Sequence, residues 1–97
     1  MTSESRPATA LPLYEARIYV SLKPTVNDPE GETIASALCS LGFDSVRSVR
    51  SGKYFQVRLA AASAEEARSA VDAMCRRLLA NPVIETYEFE LREHQPA

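Results

Sequence analysis

The sequence predicts an α+β domain of the ferredoxin-like β-α-β-β-α-β plan, an antiparallel sheet with two helices on one face. Three observations predict it. Tyr14 to Lys23 alternates apolar and polar residues with period 2. Two segments, opening at Asp28 and Ser63, repeat apolar residues at the helical period behind N-terminal capping residues. Further strand-like runs flank a Ser51-Gly52 step and follow Asn81-Pro82. The chain has 97 residues, which makes one domain. A chain of this size buries roughly two thirds of its unfolded surface.

In the first strand Tyr14, Ala16, Ile18, Val20 and Leu22 share one face, and Glu15, Arg17, Tyr19, Ser21 and Lys23 share the other. Pro24 has no N–H to donate and ends the pairing. Asp28-Pro29 starts the first helix, with a carboxylate at the N-cap and proline at the first helical position. Ile34, Ala37, Leu38 and Leu41 form its inward stripe, and Gly42 stands where a left-handed C-terminal cap belongs. A second strand is expected over Asp44 to Arg50, then a hairpin turn at Ser51-Gly52. The third strand, Lys53 to Ala60, turns Phe55, Val57 and Leu59 inward. Ser63 and Glu66 make a capping box for the second helix. Ala67, Ala70, Val71, Met74, Cys75, Leu78 and Leu79 carry its apolar face to the Asn81-Pro82 stop. Val83, Tyr87, Phe89 and Leu91 mark the last strand, with Glu85 on their face. In the usual strand order the first and third strands are central and the other two are edges. Asp44, Arg47 and Arg50 suit an edge strand.

Domain boundaries follow from composition. Residues 1–12, rich in Ser, Thr, Ala and Pro, read as a disordered lead-in; 13–92 form the domain; 93–97 read as a short tail that includes His94. Hydrophobic residues at 45% and charged residues at 25% are ordinary for a soluble domain. A net charge of -2 lacks the basic stripe that neutralises nucleic-acid phosphates or holds an anionic membrane. No apolar run reaches the ~20 residues needed to span a bilayer. Cys39 and Cys75 fall on or beside apolar helical positions, as reduced, buried thiols of a cytoplasmic protein would.

Chemistry is nearly absent from the pattern. The single histidine, His94, is remote from the predicted elements, and neither cysteine has a base beside it in the motif. No Cys-x-x-Cys pair or His cluster offers a metal site. Gly31, Gly42 and Gly52 stand alone at element ends, so no glycine-rich phosphate cradle exists. The Lys53-Tyr54-Phe55 run lacks the glycines of an RNA-binding sheet of the same topology. The sequence therefore predicts a non-enzymatic module with no metal and no cofactor of its own.

Four pieces taken in order carry a resemblance: Val20-Ser21-Leu22-Lys23, Asp28-Pro29-Glu30-Gly31, Val49-Arg50-Ser51-Gly52-Lys53-Tyr54-Phe55 and Leu79-Ala80-Asn81-Pro82-Val83-Ile84-Glu85. Together they resemble the PurS family, the small subunits of phosphoribosylformylglycinamidine (FGAM) synthase, from about Tyr14 to Leu91. The resemblance implies a non-catalytic part in purine biosynthesis, assembling a glutaminase (PurQ) with a synthetase (PurL). Those partners use glutamine, ATP and Mg, so that ammonia meets activated formylglycinamide ribonucleotide. It gives the matching residues a structural or contact-forming role, with Arg50, Gly52, Lys53, Tyr54, Asn81 and Pro82 as candidate partner contacts. The aromatic last strand and the outward tyrosines point to a homo-oligomer joined through sheet edges or open faces, with Tyr19, Tyr87 and Phe89 as contact residues. An alternative of the same topology is an ACT-like amino-acid-binding regulatory module. Such modules place a Pro-Gly step before the first helix, whereas this chain has no glycine there until Gly31.

Overall fold

The computed structural model describes residues 11–94, so most of the expected lead-in (1–10) and residues 95–97 of the expected tail lie outside the described residues. The elements are β1 (Leu13–Leu22), α1 (Pro29–Ser40), β2 (Gly52–Ala60), α2 (Ala64–Met74, continued by a π-helical turn Cys75–Leu79) and β3 (Glu85–His94). They form a three-stranded antiparallel sheet in the order β2-β1-β3. Tyr19 pairs with Tyr54 on one side and Glu88 on the other; Ile18 lies between Phe55 and Phe89. The topology is β-α-β-β-α-β-like, with both helices to one side of the sheet.

Residues 44–50 occupy the place of the expected second strand but form no strand, and β2 pairs with β1 alone. The third strand of the sequence reading is thus an edge, not a central strand. Nor is there a hairpin turn at Ser51-Gly52: Gly52 opens β2, and Gly42 is the only residue with positive φ, 101°, among the described residues. Gly42 caps α1 as its position predicts. β3 runs on through Glu93 and His94, so the sheet extends past the expected boundary at 92.

Alternation on β1 builds the core. Ala16, Ile18 and Val20 are fully buried, roofed by Val71, Cys75 and Ala80 of α2 and its end. Phe55, Val57 and Leu59 of β2, with Tyr87, Phe89 and Leu91 of β3, lie half-buried around them. Tyr14, Ala61 and Ala67 close a second cluster near the start of α2. At that start Ser63 Oγ accepts from the Glu66 N–H at 3.1 Å as predicted, while the Glu66 carboxylate accepts from the Ala62 N–H at 3.1 Å instead of closing the box on Ser63.

The end of α2 departs from the α period. The Ala80 N–H reaches back five residues to the Cys75 carbonyl at 3.0 Å. The extra residue in this turn rotates the register. Leu78, inward on an α-helix, swings out to 81% exposure, while Leu79 is half-buried and Ala80 buried. Residues 82–84 then form a turn, leaving Val83 exposed instead of opening the strand.

α1 is the larger surprise. Only Gly31 of the helix is buried, and Ile34, Leu41 and the following Phe43 are exposed. α2 packs on β1 and β3, but α1 does not pack on the sheet. Its expected inward stripe has no partner within the chain.

Replacing Val71 by Ala should cost about 2–3 kcal/mol, the lost transfer of two methyl groups plus a cavity that the tight roof cannot collapse. Cys39, expected to be buried, is exposed because α1 does not pack on the sheet, so Cys39→Ala should leave the midpoint unchanged. Urea denaturation of the purified variants checks both.

Candidate functional site

Asp28 organises one end of the sheet. It is 3% exposed, yet its carboxylate is fully engaged. Oδ1 accepts from the Gly31 N–H at 3.0 Å, the cap of α1. Oδ2 accepts from the Ser51 N–H at 2.7 Å, and the Ser51 hydroxyl donates to Oδ1 at 3.1 Å. The backbone hydrogen bond from Ser51, then that from Gly31, hold its carboxyl below the usual carboxylate range, against the opposing effect of burial. A side chain on residue 31 would not fit, because its Cβ would come 2.2 Å from the Val49 carbonyl oxygen. The segment before β2 is thereby locked onto the start of α1.

A second carboxylate ties in the other motif. Glu85 Oε1 accepts from the Asn81 N–H at 2.7 Å, and Glu85 Oε2 lies 3.5 Å from Lys53 Nζ. Asn81 Oδ1 accepts from the Val83 N–H at 3.0 Å, a local turn of the kind Asn favours. The Lys23 N–H donates to the Ile84 carbonyl at 2.8 Å, while the Lys23 carbonyl accepts from Arg50 Nη2 at 2.9 Å. Four stretches far apart in sequence therefore meet at one end of the sheet. Between them lies a hollow of about 330 Å³, bordered by Asp28, Pro29, Ser51, Gly52, Lys53 and Glu85.

Of the predicted partner-contact residues, Arg50, Gly52, Lys53, Asn81 and Pro82 gather here. Tyr54 does not. It projects from the other face of the sheet, 50% exposed, its ring centroid 5.3 Å from that of Tyr19. Tyr87 and Phe89, expected as oligomer contacts, lie on the helix-facing side of the sheet. Both face α2: Phe89 packs against the core, and the Tyr87 hydroxyl donates to Asp72, which also accepts from Arg76 Nε at 2.9 Å. Strand parity decides this, since residues 87 and 89 lie beside the buried Val20 and Ile18 of β1.

The open face is instead polar around Glu15. That carboxylate is 7% exposed although no helix covers it. Arg17 Nε donates to it at 3.2 Å, and Arg58 and His94 approach at 3.8 and 3.7 Å. The hydrogen bond from Arg17 lowers its carboxyl most. His94, expected in a tail, is part of this cluster.

Lys23, Ser51 and Glu85 were not singled out as contact residues, though they join the motifs. Glu85 carried one signal, a charge on the apolar face of the last strand. Among the described residues no group of His, Cys, Asp or Glu is arranged to hold a metal ion. Burial first, then the nearby Asp72, push the Cys75 thiol up, the opposite of an activated nucleophile.

This frame matches known proteins over nearly its whole extent. The model of the family PurS, described as phosphoribosylformylglycinamidine (FGAM) synthase, matches residues 15–93. The chain belongs to the PurS family. The phosphoribosylformylglycinamidine synthase subunit PurS of Synechocystis is 49% identical over 80% of this chain and 78% of its own length. That of Archaeoglobus fulgidus is 46% identical over 80% of this chain and 98% of its own. Among solved structures, Methanocaldococcus jannaschii PurS is similar with a TM-score of 0.76 at 38% identity, covering 84% of this chain and 99% of that one. A chain in the structure of PurLQS from Thermotoga maritima gives a TM-score of 0.75 at 37% identity, covering 87% of this chain and 100% of that one. Against these matches the ACT-like reading gives way.

Asp28→Asn should destabilise the chain at neutral pH, and the gap should close on acidification. A lowered carboxyl contributes fully above its unfolded value, near pH 4, and loses that contribution as pH falls through the folded value. Denaturation midpoints of both proteins from pH 7 to about pH 2 check the sign.

Proposed function

We propose that this chain is the non-catalytic subunit of a phosphoribosylformylglycinamidine synthase in purine biosynthesis, holding a PurQ-type glutaminase against a PurL-type synthetase. The single observation that carries the reading is the PurS family match across residues 15–93, which leaves little of the domain outside it. The Thermotoga relative found in a PurLQS structure supports the choice of partners. The chain itself has a hydrogen-bonded frame around Asp28, and its buried Cys75 thiol is held in the protonated form. ATP, Mg and glutamine are used by the partners.

The physical need for such a subunit lies in the fate of ammonia. Released into water it is diluted and mostly protonated, and ammonium is not a nucleophile. Holding the releasing and consuming sites together converts a bimolecular capture into a local transfer and shields the activated amide from hydrolysis. In this reading the protein is cytoplasmic and works as a homo-oligomer. The end of the sheet bearing Arg50, Lys53, Asn81 and Pro82 is the docking surface. Arg50 and Lys53 suit an acidic partner surface, because cations at a rim steer encounter.

The test is reconstitution with the two partner subunits. Arg50→Ala/Lys53→Ala should fold with a nearly unchanged midpoint, yet lose at least about tenfold in glutamine-dependent synthesis (about 1.4 kcal/mol). Retained activity with added ammonium salt would place the lost contact on the glutaminase side, since free ammonia bypasses that subunit. Full glutamine-dependent activity in the variant would rule out this docking surface. Omitting the wild-type chain should abolish glutamine-dependent synthesis; undiminished synthesis without it would overturn the assembly role.

A further inference from the structure

The two faces of the sheet differ in what they leave uncovered. On the helix side the exposed apolar area lies in the α1 stripe and in a groove of about 610 Å³ beside α2, bordered by Val57, Ala70, Met74 and Leu78. On the open face charges of both signs alternate. Arg58, Glu15 and Arg92 stand in one row across the strands, and Gln56, Arg17 and Glu90 in the next. The row after that breaks the pattern. Tyr54 and Tyr19 stand side by side, ring centroids 5.3 Å apart, and stay 50% and 38% exposed. Beyond them Gly52, Ser21 and Thr86 carry only small side chains, so the rings form a wall. A hollow of about 310 Å³ opens against this wall, bordered by Ser21, Arg50, Ser51 and Gly52.

The charge around the hollow is one-sided. Arg50 Nη2 donates to the Lys23 carbonyl, and Arg50 forms no ion pair among the described residues. The carboxylates nearest in register, Glu88 and Glu90, belong to β3, across Tyr19 from the hollow. An anionic group entering there meets a cation without facing a carboxylate of its own row. Exposed tyrosine rings supply apolar contact area at little entropic cost, which is why they recur at the centre of protein interfaces.

We propose that this corner is a second docking site, taking an extended acidic segment of one partner subunit. An apolar or aromatic side chain of the segment lies on the Tyr19 and Tyr54 rings, and a neighbouring carboxylate meets Arg50. The proposal rests on the assembly reading and deepens it. A chain that bridges two proteins needs two surfaces. The hollow bordered by Lys53 and Glu85 opens on the helix side, beside Val20 and Leu22, while the tyrosines stand on the open face. One end of the sheet thus offers a different surface on each side.

The experiment is calorimetric titration of the full chain with the glutaminase and the synthetase together, comparing Tyr54→Phe, Tyr54→Glu and Tyr54→Lys. Position 54 is half exposed on an edge strand, so all three variants should keep the wild-type far-ultraviolet spectrum and self-association. Tyr54→Phe keeps the ring and should bind within about threefold of wild type. At about 0.05 M salt Tyr54→Glu should bind at least about tenfold more weakly than Tyr54→Lys, and the gap should shrink at about 0.5 M. A tyrosine that only supports the fold would not make the sign of the new charge matter. Equal affinities of the Glu and Lys variants would overturn the proposal. So would weaker binding of the Lys variant, which would mean a basic segment, or loss of self-association in Tyr54→Glu, which would put the rings between copies. If the wild-type chain bound neither partner, the assembly reading would fall together with this one. If it bound and the charge sign had no effect, only the docking corner would fall.

Discussion

A single buried carboxylate determines the shape of this chain. Asp28 terminates the loop after β1, caps α1 and receives the backbone and hydroxyl of Ser51 just before β2. Each of these bonds is charge-assisted and shielded, the setting in which a hydrogen bond contributes most and its loss costs most. Removing the carboxylate would free both ends of the α1 arm at once. The position of Lys53 beside the hollow and of Arg50 against the Lys23 carbonyl depends on the same anchor, since β2 starts one residue after Ser51. Glu85 does the corresponding work for the Asn81-Pro82 turn and meets the first network through Lys53. The motifs conspicuous in the sequence are therefore the joints of one frame.

What the sequence discloses depends on how local each determinant is. The caps at Asp28 and Ser63 and the period-2 face of β1 lie within a few residues of what they control, and the structure keeps them all. The core was legible for the same reason, because β1 alternation selects Ala16, Ile18 and Val20 without reference to any other element. The failures are non-local. Asp44 to Arg50 has the composition of an edge strand, but a strand needs a neighbour, and β2 turns its free edge to solvent. Leu78 was read inward because a π turn leaves no mark on a 3.6-residue periodicity. At the candidate site the cations and the Asn-Pro step were visible in the sequence. Ser51, Lys23 and Glu85, which join them through backbone groups, were not.

The absence of catalytic geometry and the family assignment support each other on physical grounds. Carboxylates that are hydrogen-bonded to backbone amides or ringed by arginines, like Asp28 and Glu15, are held in the charged form and are poor proton donors near neutral pH. A catalytic acid or base needs the opposite, a value drawn toward the working pH. The perturbed groups of this chain are spent on shape. That suits a part whose contribution to a reaction is to fix the distance between two other active sites.

Such a part gains from leaving its fold incomplete. With α1 off the sheet, the core rests on one face of three strands and one helix, a small apolar reserve for a chain of this length. Any partner that covered α1 would add the missing burial and raise apparent stability in proportion to its own binding. Free strand edges carry an aggregation hazard that proteins blunt with charge. Here β2 presents Arg58, and β3 presents Glu88, Glu90 and Arg92, on the open face beside those edges. The charges disfavour indiscriminate edge pairing, while the apolar groove and the α1 stripe lie on the opposite side of the sheet. Surface charge and unpartnered apolar area thus fall on different faces of the same three strands.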